Sequence, residues 1–314
     1  MKEYTDTGKK DTRSGFGAAL TELGNSNPKI VALTADLKDS LKMDRFAAEH
    51  PDRFFDTGIA EANMVGMAAG LALAGYIPFI GTFANFASAR VMDQIRQSVC
   101  YSRTNVKIAA SHAGITLGED GATHQTLEDL GILRMLPGMT VLNPCDYNQT
   151  KAATIAAAAW DGPVYLRFGR PAVPNFTPED QTFEIGKALK LNDGDDVTII
   201  ATGHLVWEAV QAAKELEAKG IRADLLDIHT IKPLDREAVI ASARKTGRVV
   251  VAEEHRIAGG LGEVIAGVLA TACPTPMRFV AVDDEFGQSG KPAELMRTYG
   301  LDAAHIVEAA LSLQ

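Results

Sequence analysis

The chain has 314 residues, 46% of them apolar, with a formal net charge of −9 and a pI near 5.3. That length exceeds one typical core and suits two domains of roughly 150 residues each, while the acidic balance argues against a nucleic-acid or anionic-membrane surface. The three cysteines, Cys100, Cys145 and Cys273, form no C-x-x-C pair, so reduced thiols in a cytoplasmic protein are expected, without a disulfide framework or zinc knuckle.

The N-terminal MKEYTDTGKKDTR has no apolar core and predicts no signal peptide. No apolar run approaches the roughly 20 residues of a membrane span. KIVALTADL then reads as a buried strand from Lys29, and RFFDTGIA as a second, followed by a helix from about Ala60 to Ala74. YIPFIGTF is a third strand, with a helix through ARVMDQIRQSV after it. NVKIAASHA, MTVLNP and GPVYLRFGR are three more strands with helical segments between them. Such alternation predicts parallel βαβ units with helices on both sheet faces.

The pattern breaks near residue 170, where RPAVPNFTPEDQTFE reads as a linker. It restarts with DVTIIATG, a helix through LVWEAVQAAKELEAKG, ADLLDIHT, a helix after KPLD, RVVVAEEH, a helix after GGLGE, MRFVAVDD and terminal helices. The expected fold is therefore α/β with two domains, residues 1–180 and 190–314, each a mainly parallel sheet flanked by helices. The second is the smaller.

Several positions carry candidate chemistry. Glu61, in DTGIAEANMVGMAAGLALAG, stands where a strand gives way to a helix, the ligand edge of an open parallel sheet. A carboxylate favoured by the helix dipole is the plainer reading. After it, Ala62, Gly66, Gly70 and Ala74 form a small-residue stripe that lets another backbone approach, or simply packs within the domain. In GTFANFASARVMDQ, Phe83 and Phe86 follow a strand and could grip a flat ring or fill the core.

SHAGITLGEDGATHQ gathers His112, Glu119, Asp120 and His124 among three glycines, in a chain with seven histidines. A metal site lacks a third ligand at regular spacing. A nucleotide loop lacks the P-loop lysine and the G-x-G-x-x-G order. A polar sugar site fits histidines that donate, accept and move protons, with a carboxylate that accepts from hydroxyls. A solvated loop remains the bland alternative. In VVVAEEHRIAGGLGEVIAG the glycine spacing departs from the dinucleotide fingerprint, so a tight strand-to-helix turn is expected.

In this order, DTGIAEANMVGMAAGLA, GTFANFASARVMDQ, SHAGITLGEDGATHQ and LRFGRP resemble the pyrimidine-binding half of transketolase, and the second domain continues the match to the C-terminus. Transketolases are usually single chains about twice this length. Their first half binds the cofactor diphosphate through a metal, using a G-D-G motif that this chain lacks. NDGDD, at 192–196, is not that motif. The resemblance thus implies the C-terminal subunit of a split transketolase. The pyrimidine domain would span 1–180 and the C-terminal domain 190–314.

It also implies thiamine diphosphate shared with a separate N-terminal subunit, which would bring the magnesium or calcium ion. No metal ligands are expected on this chain. Glu61 matches the glutamate that hydrogen-bonds N1′ of the aminopyrimidine and should be buried, and Phe83 and Phe86 match the aromatics around that ring. Asp36 matches a carboxylate near the thiazolium. Asp120 matches the reader of a sugar hydroxyl, and His124 the histidine near the reacting carbons. His112, Arg170, Arg13 and Ser40 match the set that holds the substrate phosphate. A third family aromatic is replaced by Ala89, which leaves the pocket looser or filled by the partner.

The implied activity is transfer of a two-carbon ketol unit between sugar phosphates by a heterotetramer with two copies of each chain, inactive without its partner. Rival readings are a 1-deoxyxylulose-phosphate synthase-like chain, the β subunit of a 2-oxoacid dehydrogenase, or a non-catalytic assembly or regulatory subunit.

Overall fold

The computed structural model describes residues 3–314, so the first two residues of the expected 1–180 span lie outside the described residues. The chain begins with β1 (Lys10–Asp11), α1 (Thr12–Ser26), β2 (Ile30–Thr34), α2 (Asp44–Glu49), β3 (Phe54–Asp56) and α3 (Glu61–Leu73). It continues through β4 (Ile77–Phe83), α4 (Met92–Gln94), β5 (Lys107–Ser111), α5 (Asp129–Arg134), β6 (Thr140–Leu142), α6 (Tyr147–Ala159), β7 (Val164–Arg167) and β8 (Ala172–Val173). The remainder comprises β9 (Leu189–Asn192), β10 (Val197–Ala201), α7 (Leu205–Ala218), β11 (Ala223–Asp227), β12 (Thr230–Lys232) and α8 (Arg236–Thr246). It closes with β13 (Val249–Arg256), α9 (Leu261–Ala272), β14 (Met277–Val282), α10 (Pro292–Thr298) and α11 (Ala303–Leu311).

The first sheet has the order β12-β6-β7-β5-β4-β2-β3, parallel except for β12. Its central strands are buried on both faces, which explains their near-continuous apolar runs. Alternate residues serve opposite layers, as the strand period requires. Ile30, Ala32 and Leu166 pack with Phe16 and Leu20 of α1 and Ala153 of α6. Val31, Leu33 and Ile108 pack with Met64, Val65 and Ala68 of α3. Helix α1 starts at an Asp11 cap that accepts from Ser14 N. Gly15 lets α1 press onto α6, where a Cβ would meet the Tyr147 carbonyl oxygen at 2.4 Å.

The second sheet has the order β14-β13-β10-β11-β9, with only β9 antiparallel. Thr230–Lys232 leaves that sheet and joins the first beside β6. One apolar cluster also runs through both sheets, taking in Met64 and Val141 as well as Ile200, Leu226 and Val251. A continuous core of this kind holds two layers in one orientation.

The expected helix through ARVMDQIRQSV is wound three ways: a 3-10 turn at Ala89–Val91, α4, and a π segment at Ile95–Tyr101. The hydroxyls of Ser102 and Thr104 donate to the carbonyls of Gln97 and Ser98 at the end of the wider segment. The glycine-rich turn before α9 is closed by Glu253, whose carboxylate accepts from Leu261 N at 2.7 Å and Gly262 N at 2.8 Å. A protein side chain therefore takes the anion position of that helix start. Among the described residues no helix is long and apolar enough to cross a membrane.

Candidate functional site

Strand β2 has β3 on one side and β4 on the other, so the chain reverses direction across the sheet at β2 and β4. Loops leaving the carboxyl ends of these strands diverge and open a crevice. Asp36 follows β2, Glu61 follows β3, Phe83 ends β4, His112 follows β5 and Arg170 follows β7. Five parallel strands thus deliver their candidate side chains to one edge.

On one side of the crevice lie the flat-ring candidates. Glu61 opens α3 and is 5% exposed, a burial that the resemblance led one to expect. Phe83 and Phe86 stack with centroids 5.7 Å apart and planes 21° apart. Arg90 links these groups. Its Nη1 donates to Glu61 Oε1 at 2.7 Å, and its guanidinium carbon lies 3.9 Å from the Phe86 centroid. One planar cation touches the buried carboxylate and the aromatic face together. A flat ring with a hydrogen-bonding edge can make the same two contacts, so these residues fit an aminopyrimidine. Ala89 is exposed, and the neighbouring Arg90 fills the space beside Phe86.

On the other side is a cationic corner. His112 is buried, has a left-handed φ of 59°, and its Nδ1 is 2.7 Å from Ser111 Oγ. Burial, followed by the charges of Arg13 and Arg170, pushes its pKa down to about 3. It is therefore a neutral imidazole in the field of two guanidinium groups. Arg13 Nη1 donates to the Ser40 carbonyl at 3.0 Å, which brings these two distant positions together. Arg13 Nε lies 3.2 Å from Asp11 Oδ1, an ion pair that holds the guanidinium in the corner. Arg170 Nη1 donates to Glu119 Oε2 at 2.8 Å and to the Leu117 carbonyl at 2.7 Å. Glu119 thus aims Arg170. Two arginines beside a buried imidazole form a chemistry suited to an anion.

His124 joins the two sides. Its ring meets Phe86 edge-on at 5.5 Å and Phe83 at 6.5 Å. Asp120 is exposed on the turn before it. Asp36 is exposed with a φ of 58°, and its N–H donates to Asp56 Oδ1 at 3.0 Å. Among the described residues, neither aspartate makes a hydrogen bond or ion pair to the aromatic group or its arginine. No cluster of metal-ligating side chains occurs among the described residues.

The segment carrying His112 and His124 is held from the second domain. Glu254, at the end of β13, accepts from Thr116 N at 2.6 Å, and Arg256 N donates to the Leu127 carbonyl at 3.0 Å. Gln125 Nε2 donates to the carbonyls of Ile115 and Gln288, both at 3.0 Å. Asn85 Nδ2 donates to the Thr123 carbonyl at 2.8 Å and ties in the loop after β4. Sequence reasoning passed over Arg90, Asn85 and Glu254. Only Arg90 left a local signal, a cation four residues after Phe86 in the turn that precedes the helical winding.

Residues 8–175 match the family model described as transketolase, pyrimidine binding domain, and residues 186–306 match transketolase, C-terminal domain. The chain is 48% identical, over 95% of its length and 92% of the relative, to the 6-deoxy-6-sulfo-D-fructose transketolase subunit of Clostridium sp. (strain MSTE9). It is 41% identical, over 95% of its length and 96% of the relative, to an apulose-4-phosphate transketolase subunit of Phocaeicola vulgatus. Among solved structures it is similar to a split-gene transketolase described as an inactive beta4 tetramer. There the TM-score is 0.91 at 49% identity, over 96% of this chain and 98% of that one.

Proposed function

The chain belongs to the transketolase family, and from that premise we propose that it is the C-terminal subunit of a two-chain transketolase, moving a two-carbon ketol unit between anionic sugars. The observation that carries this reading is the crevice itself: a buried glutamate beside paired phenyl rings, continuous with a corner built from Arg13, Arg170 and neutral His112.

The family's domains imply use of thiamine diphosphate, which when bound supplies the carbon nucleophile that breaks and remakes the sugar's carbon–carbon bond. Glu61 is then the hydrogen-bond partner of N1′, exchanging a proton there, while Phe83 and Phe86 hold the pyrimidine plane. Asp36 would be the carboxylate that serves the thiazolium side in this reading. His124, beside both rings, is the proton carrier nearest the reacting carbons, and Asp120 accepts from a sugar hydroxyl. Arg13, Ser40, His112 and Arg170 hold the terminal anion of the substrate. The relatives named for a sulfo-sugar and for a sugar phosphate both involve such an anion, and a guanidinium fork accepts sulfonate and phosphate oxygens alike.

The diphosphate and its magnesium or calcium ion belong to an N-terminal subunit in this reading, and two copies of each chain make the working assembly. The small-residue stripe supports a partner. Ala62, Gly66, Gly70 and Ala74 are exposed, and a Cβ at Gly66 or Gly70 would meet nothing within 4 Å. Ile59 and Leu73 beside it are 78% and 76% exposed. Apolar surface of that kind marks an interaction face.

The test is co-purification with a candidate N-terminal subunit, thiamine diphosphate and magnesium, followed by a screen of phosphorylated and sulfonated ketoses. Glycolaldehyde transfer by the complex and none by either chain alone is the expected result. A complex that binds the cofactor but transfers nothing would point to the non-catalytic alternative.

A further inference from the structure

Resting on the reading of this edge as the pyrimidine half of a cofactor site, we propose that Arg90 is an internal stand-in for the aminopyrimidine. In the free chain it holds Glu61 and the Phe86 face, and it must swing away before the cofactor ring can enter.

The two contacts of Arg90 are the two that the ring requires. Nη1 takes Glu61 Oε1 at 2.7 Å, and the flat guanidinium covers the Phe86 ring at 3.9 Å. A planar group occupying both leaves no room for a second planar group in the same place. The arrangement also meets a physical need of the unloaded chain. The Glu61 side chain is 6% exposed, and a carboxylate so placed without a partner carries a heavy desolvation penalty. Arg90 removes that penalty until the cofactor arrives.

Departure is easy for Arg90. Its side chain is 49% exposed, so one flank already faces solvent, and the exposed Ala89 before it offers no bulk to confine the swing. A half-exposed ion pair is also weakened by salt. Glu61 exchanges one hydrogen-bonding partner for another and is never left bare.

A competing internal group lowers apparent affinity by the fraction of time that the site stands open. The full chain is titrated calorimetrically with 4-amino-5-hydroxymethyl-2-methylpyrimidine, which probes the pyrimidine position without needing the metal half. Arg90→Ala is expected to bind this probe about tenfold more tightly than the parent chain, with a lowered melting temperature that saturating probe raises again. Parent affinity should rise as salt increases from about 50 to about 500 mM, while that of Arg90→Ala stays flat or falls. Equal or weaker binding by Arg90→Ala, or no binding by it at millimolar probe, overturns the proposal. Glu61→Gln and Phe86→Ala, each added to Arg90→Ala, separate the two levels of inference. Binding that needs both residues but ignores Arg90 sinks only the stand-in. Binding that ignores all three sinks the pyrimidine site as well.

Discussion

The imidazole of His112 stacks on the ring of Phe83, with centroids 3.9 Å apart and planes 26° apart. This contact joins the cationic corner to the aromatic pair, since Phe83 stacks in turn on Phe86. A substrate anion beside His112 and a flat ring beside Phe86 would therefore sit at two ends of one short aromatic stack. The following outcomes are expected from that arrangement.

Glu61→Gln keeps the size and hydrogen-bonding reach of the side chain but cannot exchange a proton. In the reconstituted complex, turnover should fall by roughly 10²- to 10⁴-fold, the usual contribution of a positioned acid or base. Circular dichroism should show little change in folding. Near-normal turnover would remove Glu61 from the chemistry.

Arg170→Ala removes one guanidinium from the corner and frees Glu119. A hydrogen bond to a charged group contributes about 1.5–3 kcal/mol, so KM for a phosphorylated ketose should rise about 10- to 100-fold. Steady-state kinetics with an unphosphorylated ketose as control should show little change in KM. Equal effects on both substrates would place Arg170 elsewhere.

His112 should remain neutral throughout the range in which proteins are usually assayed, because its pKa is held down at about 3. In an NMR titration of its ring protons, no midpoint should appear between about pH 5 and 8. Arg13→Ala with Arg170→Ala should raise the midpoint but not restore the ordinary value, since burial is the larger cause. The sign for stability follows. The folded pKa lies below the unfolded one, so this histidine's contribution is complete above about pH 6.5 and is lost as pH falls toward 3.

Gly114→Ala tests the hold of the second domain on the substrate-facing segment. Gly114 has a φ of 82°, and an added Cβ would meet Glu254 Oε1 at 2.2 Å. The left-handed backbone alone costs about 1–3 kcal/mol for other residues, and displacement of Glu254 would loosen Thr116. A lowered melting temperature together with a raised substrate KM is expected. An unchanged KM in the folded variant would show that Glu254 supports the fold without positioning the site.

Much of the fold was legible because its signals are local. IVALT and KIAAS announce strands by composition, and the runs after them by helical spacing. Strand β12 was not legible. Three residues show no period, and Thr230–Lys232 takes its partner from β6, in the other sheet. Strand β9 is a short polar edge strand, LKLN, with the same weakness. The π winding after Phe86 differs from an α-helix only in which carbonyl each N–H chooses, and side-chain periodicity reports that poorly.

What the sequence determined by itself was the family, the two-layered α/β plan and the set of chemical groups, because order, spacing and residue type survive in one dimension. Tertiary structure decided how those groups meet. Arg13 reaches the charge field of Arg170 across most of the first domain, Glu254 comes from the second domain to hold Thr116, and Arg90 chooses Glu61 over solvent. Each couples residues far apart in the chain, fixed by packing and desolvation rather than by local propensity. Such couplings turn a glutamate, two phenyl rings, two imidazoles and three arginines into one crevice.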